Sequence, residues 1–195
     1  MKVKVSVIMI TYNHEKYISE AIENVLSQIT SFDYELVIAE DFSTDNTRSI
    51  CEKYASKYPN KIRLLASVKN WGMHHNFIRA YESSKGEYVA ICEGDDYWSD
   101  VDKLQRQVNF LDNNEDYVLC SHNGTILDEI GTGKTGNMLH SVETDFDFDT
   151  KDLIIKNRAA TLTVVFRNYL IKKFPDWFTQ FGGSDRSLYI ILSQY

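Results

Sequence analysis

Two acidic clusters set the chemical possibilities of this chain: Glu40-Asp41, and Glu93-Gly94-Asp95-Asp96. Carboxylates that converge in a crevice repel one another and need a cation or hydrogen-bond donors to stay ionised. A short Asp-x-Asp-like turn offers hard oxygen ligands that suit Mg²⁺ or Mn²⁺, with the remaining ligands drawn from water and substrate phosphates. Each cluster alone also reads as helix capping or a solvated turn. The metal reading gains weight only if both clusters stand at one edge of one sheet.

The hydrophobic pattern predicts such an arrangement. Val3 to Ile10 is apolar and β-branched, unbroken from Val7 onward, as in a strand buried on both faces. It stops at Thr11-Tyr12-Asn13. Ile18, Ala21, Ile22, Val25 and Leu26 then recur at helical spacing between about His14 and Gln28. A strand at Glu35 to Ala39 runs into Glu40-Asp41, and the next helix, capped by Ser43 or Thr44 with Asp45 at its positive end, reaches Tyr58. The same rhythm gives a strand at Ile62 to Ala66, a helix at His74 to Ser84, and a strand at Tyr88 to Cys92 that ends in the second acidic cluster. A helix at Val101 to Leu111 and a strand at Tyr117 to Cys120 follow. Strands alternating with helices predict an α/β fold with a doubly wound, mostly parallel sheet, whose ligands sit at the carboxyl ends of the strands. Beyond Ser121 the rhythm fades, with loop-like sequence at Gly131–Gly136 and Asp145–Asp149. It returns as a strand at Thr161 to Phe166 and a helix at Asp185 to Ser193.

Several patterns are set aside. Gly131-Thr132-Gly133-Lys134-Thr135-Gly136 matches GxGxxG, yet it opens no helix and lies far from the first strand-to-helix turn. As a P-loop tail it fails because Asp128 stands where glycine is needed. His74-His75 are adjacent on a helix, so their side chains diverge. Trp71, Tyr97 and Trp98 read equally as ligand walls or as core.

The chain has 195 residues, a net charge of −7, 43% hydrophobic residues, 9 glycines and 2 prolines. That is one globular domain, and its acidity argues against a nucleic-acid partner gripped through phosphate neutralisation. Cys51, Cys92 and Cys120, without CxxC spacing or a signal peptide, read as reduced thiols of a cytoplasmic protein. The pattern runs on to Tyr195 without a helix stop, so the expectation is a chain truncated at its C-terminus.

With these residues in hand, the chain resembles the family 2 glycosyltransferases of the GT-A fold. Val5 to Asn13 is similar to the family's opening strand and Tyr-Asn turn. Glu40-Asp41-Phe42-Ser43-Thr44-Asp45-Asn46-Thr47 resembles its Asp-Asp-x-Ser-x-Asp-x-Thr signature. Asn70-Trp71-Gly72 with Asn76 resembles its Asn-x-Gly…Asn loop and helix, and Gly86-Glu87-Tyr88 leading into Glu93-Gly94-Asp95-Asp96-Tyr97-Trp98 its strand and Asp-x-Asp-Asp turn. These motifs span residues 3 to about 113; the match from 114 onward is loose. Glu40 and Glu93 stand where Asp is usual.

The resemblance implies one catalytic domain over 1–195, with nucleotide-sugar binding in 1–113 and an irregular acceptor-side part in 114–195. It implies transfer of a sugar, usually from a UDP-sugar, to a saccharide or lipid-linked acceptor hydroxyl with inversion, in surface polysaccharide synthesis. Carried over by position, Thr11, Tyr12, Asn13, Glu40, Asp41, Asn70 and Asp95 bind the donor. Asp95, Asp96 and the longer Glu93 hold Mn²⁺ or Mg²⁺. The family's base is an Asp opening a late helix, which Gly182-Gly183-Ser184-Asp185 fits; the same residues also read as a helix cap. Asp176 beside Trp177 is the second candidate. The implied place is the cytoplasm, possible also at the inner face of a membrane. The competing readings are a nucleotide-sugar-binding module without turnover, and a nucleotidyltransferase, which would want a Gly-rich basic loop where Thr11-Tyr12-Asn13-His14 stands.

Overall fold

The computed structural model describes residues 2–127, 136, 138, 145–180 and 184–195, and the expectations on Gly131–Thr135 and Gly182-Gly183 lie outside them. Strand β1 (Val5–Thr11) sits mid-sheet between β2 (Tyr34–Glu40) and β4 (Tyr88–Ile91), and β3 (Ile62–Leu64) extends the β2 side; these four are parallel. On the other side β6 (Val165–Arg167) runs antiparallel to β4, and β5 (Leu119–Cys120) antiparallel to β6, giving the order β3-β2-β1-β4-β6-β5.

Side chains alternate across this sheet, as strand geometry demands. Val5, Val7 and Met9 of β1, Leu36 and Ile38 of β2, and Tyr88 and Ala90 of β4 share one core cluster with α1 (Ile18–Leu26), α2 (Thr47–Lys57) and α4 (Lys103–Asn113). Ile8, Val37, Ala39, Val89 and Ile91 face the opposite cluster, with α3 (Met73–Ser83), α5 (Thr150–Ile155) and α6 (Ser184–Leu192). Burial on both faces is why β1 and β2 read as continuous apolar runs.

Ser6 interrupts that run in β1 although it is fully buried. Its hydroxyl donates to Glu35 Oε1 at 2.7 Å and accepts the N–H groups of Lys85 and Gly86, while Arg63 neutralises Glu35 at 3.1 Å. A Cβ on Gly86 would stand 2.3 Å from the Ser6 nitrogen, so the family-like Gly86 is a close-approach position. This network ties the amino-terminal ends of β1, β2 and β4, at the edge opposite the acidic clusters.

Two local expectations change. Ser43 and Thr44 do not cap α2, which begins at Thr47 after Asn46. The apolar segment at Thr161–Phe166 divides into a 3-10 turn (Thr161–Thr163) and then β6. Asp145–Asp149 is irregular, as expected, and leads into a helix the sequence pattern does not announce, α5, where Asp149 and Asp152 form a reciprocal capping box.

Candidate active site

Both acidic clusters stand at the carboxyl edge of the parallel strands, Glu40 as the last residue of β2 with Asp41 next to it and Glu93–Asp96 after β4, on either side of Thr11 at the end of β1. The loops there are stitched to one another by side chains. Ser43 Oγ accepts the N–H of Asn13 at 3.0 Å, Thr47 Oγ1 that of His14 at 2.8 Å, and Asp45 Oδ2 that of Glu15 at 3.1 Å. Asn13 returns the contact, its Oδ1 accepting the Thr44 N–H at 2.9 Å, and it adopts a left-handed backbone with φ 56°. Asn tolerates that conformation better than most residues. Tyr12 is left exposed beside the turn.

Glu40 is sealed beneath this turn: its carboxylate accepts the Ser43 N–H at 2.6 Å and lies 3.4 Å from Arg48 Nη1. Asp41 accepts the N–H groups of Trp71 and Gly72 at 2.7 and 2.9 Å, one on each oxygen. Asn70 Oδ1 also accepts from Gly72, whose φ of +79° favours glycine. Thus Asp41 fixes the loop that carries Asn70 and the half-exposed Trp71, over which Lys69 and Arg79 stand at 4.4 and 5.2 Å. Asn76 on α3 donates to the Ala39 carbonyl at 2.6 Å, closing the end of β2.

The second cluster has little such compensation. Gly94 presses against Thr11 and His14; a Cβ there would meet Thr11 Oγ1 at 2.3 Å and His14 Nδ1 at 2.9 Å. Burial, then repulsion from Asp96, Asp95 and Asp185, pushes the Glu93 carboxyl up to about 7. Burial, then Asp95, pushes Asp96 up to about 6. Asp95 is exposed, with His14 Nδ1 at 3.7 Å. Among the described residues no three His, Cys, Asp or Glu side chains already stand at metal-binding spacing. Hard oxygens short of positive charge still fit a divalent ion that takes its other ligands from a diphosphate.

Glu93 and Asp96 line a cavity of about 370 Å³ with Asn157, Ala159, Ala160, Thr161, Leu162 and Asp185. The fold therefore brings Asp185, at the start of α6, to the acidic turn from 89 residues further along than Asp96. Asp176 lies instead on an exposed 3-10 turn outside this cavity. On the other side of the turn a cavity of about 930 Å³ is walled by Asp95, Asp96, Tyr17, Lys103 and His122. Burial lowers the Lys103 amine to about 7; it donates to Gln107 at 2.7 Å over the buried Trp98 ring. Sequence reasoning missed Asn157, which donates to Asp185 at 2.6 Å, because it falls where periodicity fades.

The model of the family described as "Glycosyl transferase family 2" matches residues 6–174. The chain belongs to glycosyltransferase family 2. An uncharacterized protein of Mycobacterium tuberculosis is 38% identical over 162 residues, covering 83% of this chain and 46% of that protein. A putative teichuronic acid biosynthesis glycosyltransferase, TuaG of Bacillus subtilis, is 34% identical over 131 residues, covering 64% and 51%. This family 2 chain spans about half the length of the curated relatives it matches. Among solved structures, S. aureus TarS 1–349 superposes over 98% of this chain and 55% of its own, with TM-score 0.65 and 24% identity. The mannosyltransferase PcManGT of Pyrobaculum calidifontis, in complex with GDP-Man and Mn²⁺, gives TM-score 0.55 and 27% identity over 62% of this chain and 35% of its own. The fold is that of the GT-A glycosyltransferases. Among the described residues no helix is long and apolar enough to cross a membrane.

Proposed function

We propose that this chain carries the donor-binding and catalytic part of an inverting glycosyltransferase, acting on a nucleoside-diphosphate sugar and the hydroxyl of a saccharide or lipid-linked saccharide in surface polysaccharide synthesis. The observation that carries this reading is the single cavity shared by Glu93, Asp96 and Asp185. Inversion needs a base on the face of the sugar opposite the diphosphate, within hydrogen-bond reach of the acceptor. Asp185 takes the acceptor proton while the hydroxyl oxygen bonds to the anomeric carbon and the bond to the diphosphate breaks. Tyr12, Asn13 and the Asn70–Gly72 loop held by Asp41 line the nucleoside side, with Thr11 beneath. Asp95 and Asp96, with Glu93 behind them, hold Mn²⁺ or Mg²⁺. That ion, when bound, stabilises the charge developing on the leaving diphosphate as a Lewis acid.

The Mn²⁺ and GDP-Man of the mannosyltransferase and the polysaccharide role in the name of the teichuronic acid relative support this assignment. Within it, residues 1–113 are the nucleotide-sugar part and 114–195 the acceptor side, working at the cytoplasmic face of the membrane where a lipid-linked acceptor would be met. UDP is the first nucleotide to test. Calorimetric titration with and without Mn²⁺ is expected to show ion-dependent binding that the Asp95→Ala/Asp96→Ala variant loses. Turnover of UDP-glucose, UDP-GlcNAc or GDP-mannose is expected to fall by at least about 100-fold in Asp185→Asn. Wild-type turnover in that variant would refute the base; nucleotide binding with no turnover of any donor would leave a binding module.

A further inference from the structure

Asn157 lies two residues beyond α5, in the wall of the cavity that also holds Asp185, Glu93 and Asp96. Its Nδ2 donates to Asp185 Oδ2 at 2.6 Å, and its Oδ1 accepts the Ala159 N–H at 3.4 Å. The second contact orients the amide, since the end facing a backbone donor must be the oxygen and the end facing the carboxylate must be the NH₂. The support behind it is firm. Leu153 of α5 and Leu188 of α6 are buried in one cluster, and Arg186 Nε donates to the Leu153 carbonyl at 2.6 Å. The exit of α5 and the start of α6 are thus tied together, with Asn157 and Asp185 carried on them.

Asp185 needs such a partner. The carboxyl groups of Glu93 and Asp96 line the same cavity, and Asp185 is itself among the charges that raise Glu93. Like charges across a small cavity repel one another, which works against holding a carboxylate in one position there. A donor fixed on one carboxylate oxygen counters that push and defines where the second oxygen stands.

We propose that Asn157 is a positioning residue for this glycosyl transfer. It anchors Asp185 Oδ2 so that the other oxygen meets the acceptor hydroxyl, receives its proton as the new C–O bond forms, and is held there while the bond to the diphosphate breaks. This goes one step beyond the reading of Asp185 as the base, and rests on it.

Two measurements separate the inference from that reading. In protein carrying ¹⁵N-labelled asparagine, the side-chain NH₂ signal of Asn157, identified by its loss in Asn157→Ala, is expected downfield of the other asparagines and to move in Asp185→Ala. A signal that Asp185→Ala leaves in place overturns the contact whatever the activity. With a donor that turns over, the isosteric Asn157→Asp and the truncating Asn157→Ala are expected to lower kcat roughly 10- to 100-fold, the worth of a hydrogen bond to a charged group. Donor KM should stay within about twofold, and Asn157→Gln, which keeps the amide donor, should recover most of kcat. Wild-type kcat in Asn157→Asp, or a loss confined to KM, overturns the inference. Wild-type kcat in Asp185→Asn overturns the base instead, and the NH₂ signal still judges the contact.

Discussion

Replacing Glu93 by glutamine should make this protein more stable, and only above the ordinary pH range of a carboxylate. Burial and three neighbouring carboxylates hold the Glu93 carboxyl at about 7 rather than 4.5. The folded state therefore keeps a proton that the unfolded chain releases between those values, and stability falls as pH rises across the window from 4.5 to 7. A displacement of that size corresponds to about 3 kcal/mol once Glu93 is fully ionised. Asp96, raised to about 6, titrates in the same field, so the two carboxyls lose their protons as a coupled pair and their costs do not simply add.

Glu93→Gln keeps the shape and removes the charge, and its buried amide gives back part of the gain. The expected net effect is about 1–3 kcal/mol of added stability at pH 8, a rise in Tm of several degrees for a domain of this size, and no gain at pH 4.5 or below. Urea unfolding followed from pH 4.5 to 8.5 in EDTA measures it directly. The same series in millimolar Mn²⁺ should flatten the wild-type slope, because an ion that binds only the folded, ionised turn adds stability where the carboxylates are charged. Parallel pH profiles for wild type and Glu93→Gln in EDTA would refute the argument, since the cavity would then be too well solvated to carry the penalty.

Two further substitutions test the scaffold around that turn. Asp41→Asn turns an NH₂ toward one of the backbone N–H groups of Trp71 and Gly72, and should cost about 1–3 kcal/mol. Hydrogen exchange at those two amides should accelerate, and unchanged protection would show that Asp41 does not fix the loop. Gly94→Ala forces a Cβ to 2.3 Å from Thr11 Oγ1 and 2.6 Å from Thr11 Cβ, and should cost about 1–3 kcal/mol while weakening ion-dependent UDP binding. An alanine that is neutral in both measurements would mean that the turn has room to move.

The parallel half of the sheet was legible because its signals are local and redundant. Each of β1, β2 and β4 shows its burial as an apolar run, and α1 and α3 show theirs as a stripe. The other half depends on pairing between distant segments. The apolar runs at Tyr117–Cys120 and Thr161–Phe166 mark the last two strands, but β5 keeps two residues and β6 three, and their antiparallel pairing, between positions 47 residues apart at Leu119 and Phe166, has no local signal. α5 escaped because its first turn carries Asp149-x-x-Asp152 rather than the usual Ser/Thr-x-x-Glu. Ser43 looked like a helix cap on local grounds, yet the Asn13 N–H from another loop reaches its hydroxyl. Asn157 gave no local signal at all. A polar residue in an unpatterned loop becomes informative only when the fold places a carboxylate against it.

The two glutamates that replace the family's usual aspartates have different physical meanings. At position 40 the side chain is buried, and its carboxylate is fully engaged within its own loop and helix by the Ser43 N–H and the Arg48 guanidinium. The added methylene lengthens a structural reach, and the charge it carries is met by Arg48. At position 93 the neighbours are Asp95, Asp96 and Asp185, and no cation in the described structure stands among the causes acting on it. There the added methylene carries a carboxyl into the cavity that Asp96 and Asp185 also line, and their charges help to push it up. One substitution type thus preserves the scaffold at one strand end and alters the electrostatics of the acidic cavity at the other. The environment of each side chain, and not its departure from the family pattern, decides which. The same reasoning applies to Ser43, Thr47 and Asp45, which accept the successive N–H groups of Asn13, His14 and Glu15 and so fix the turn that follows β1.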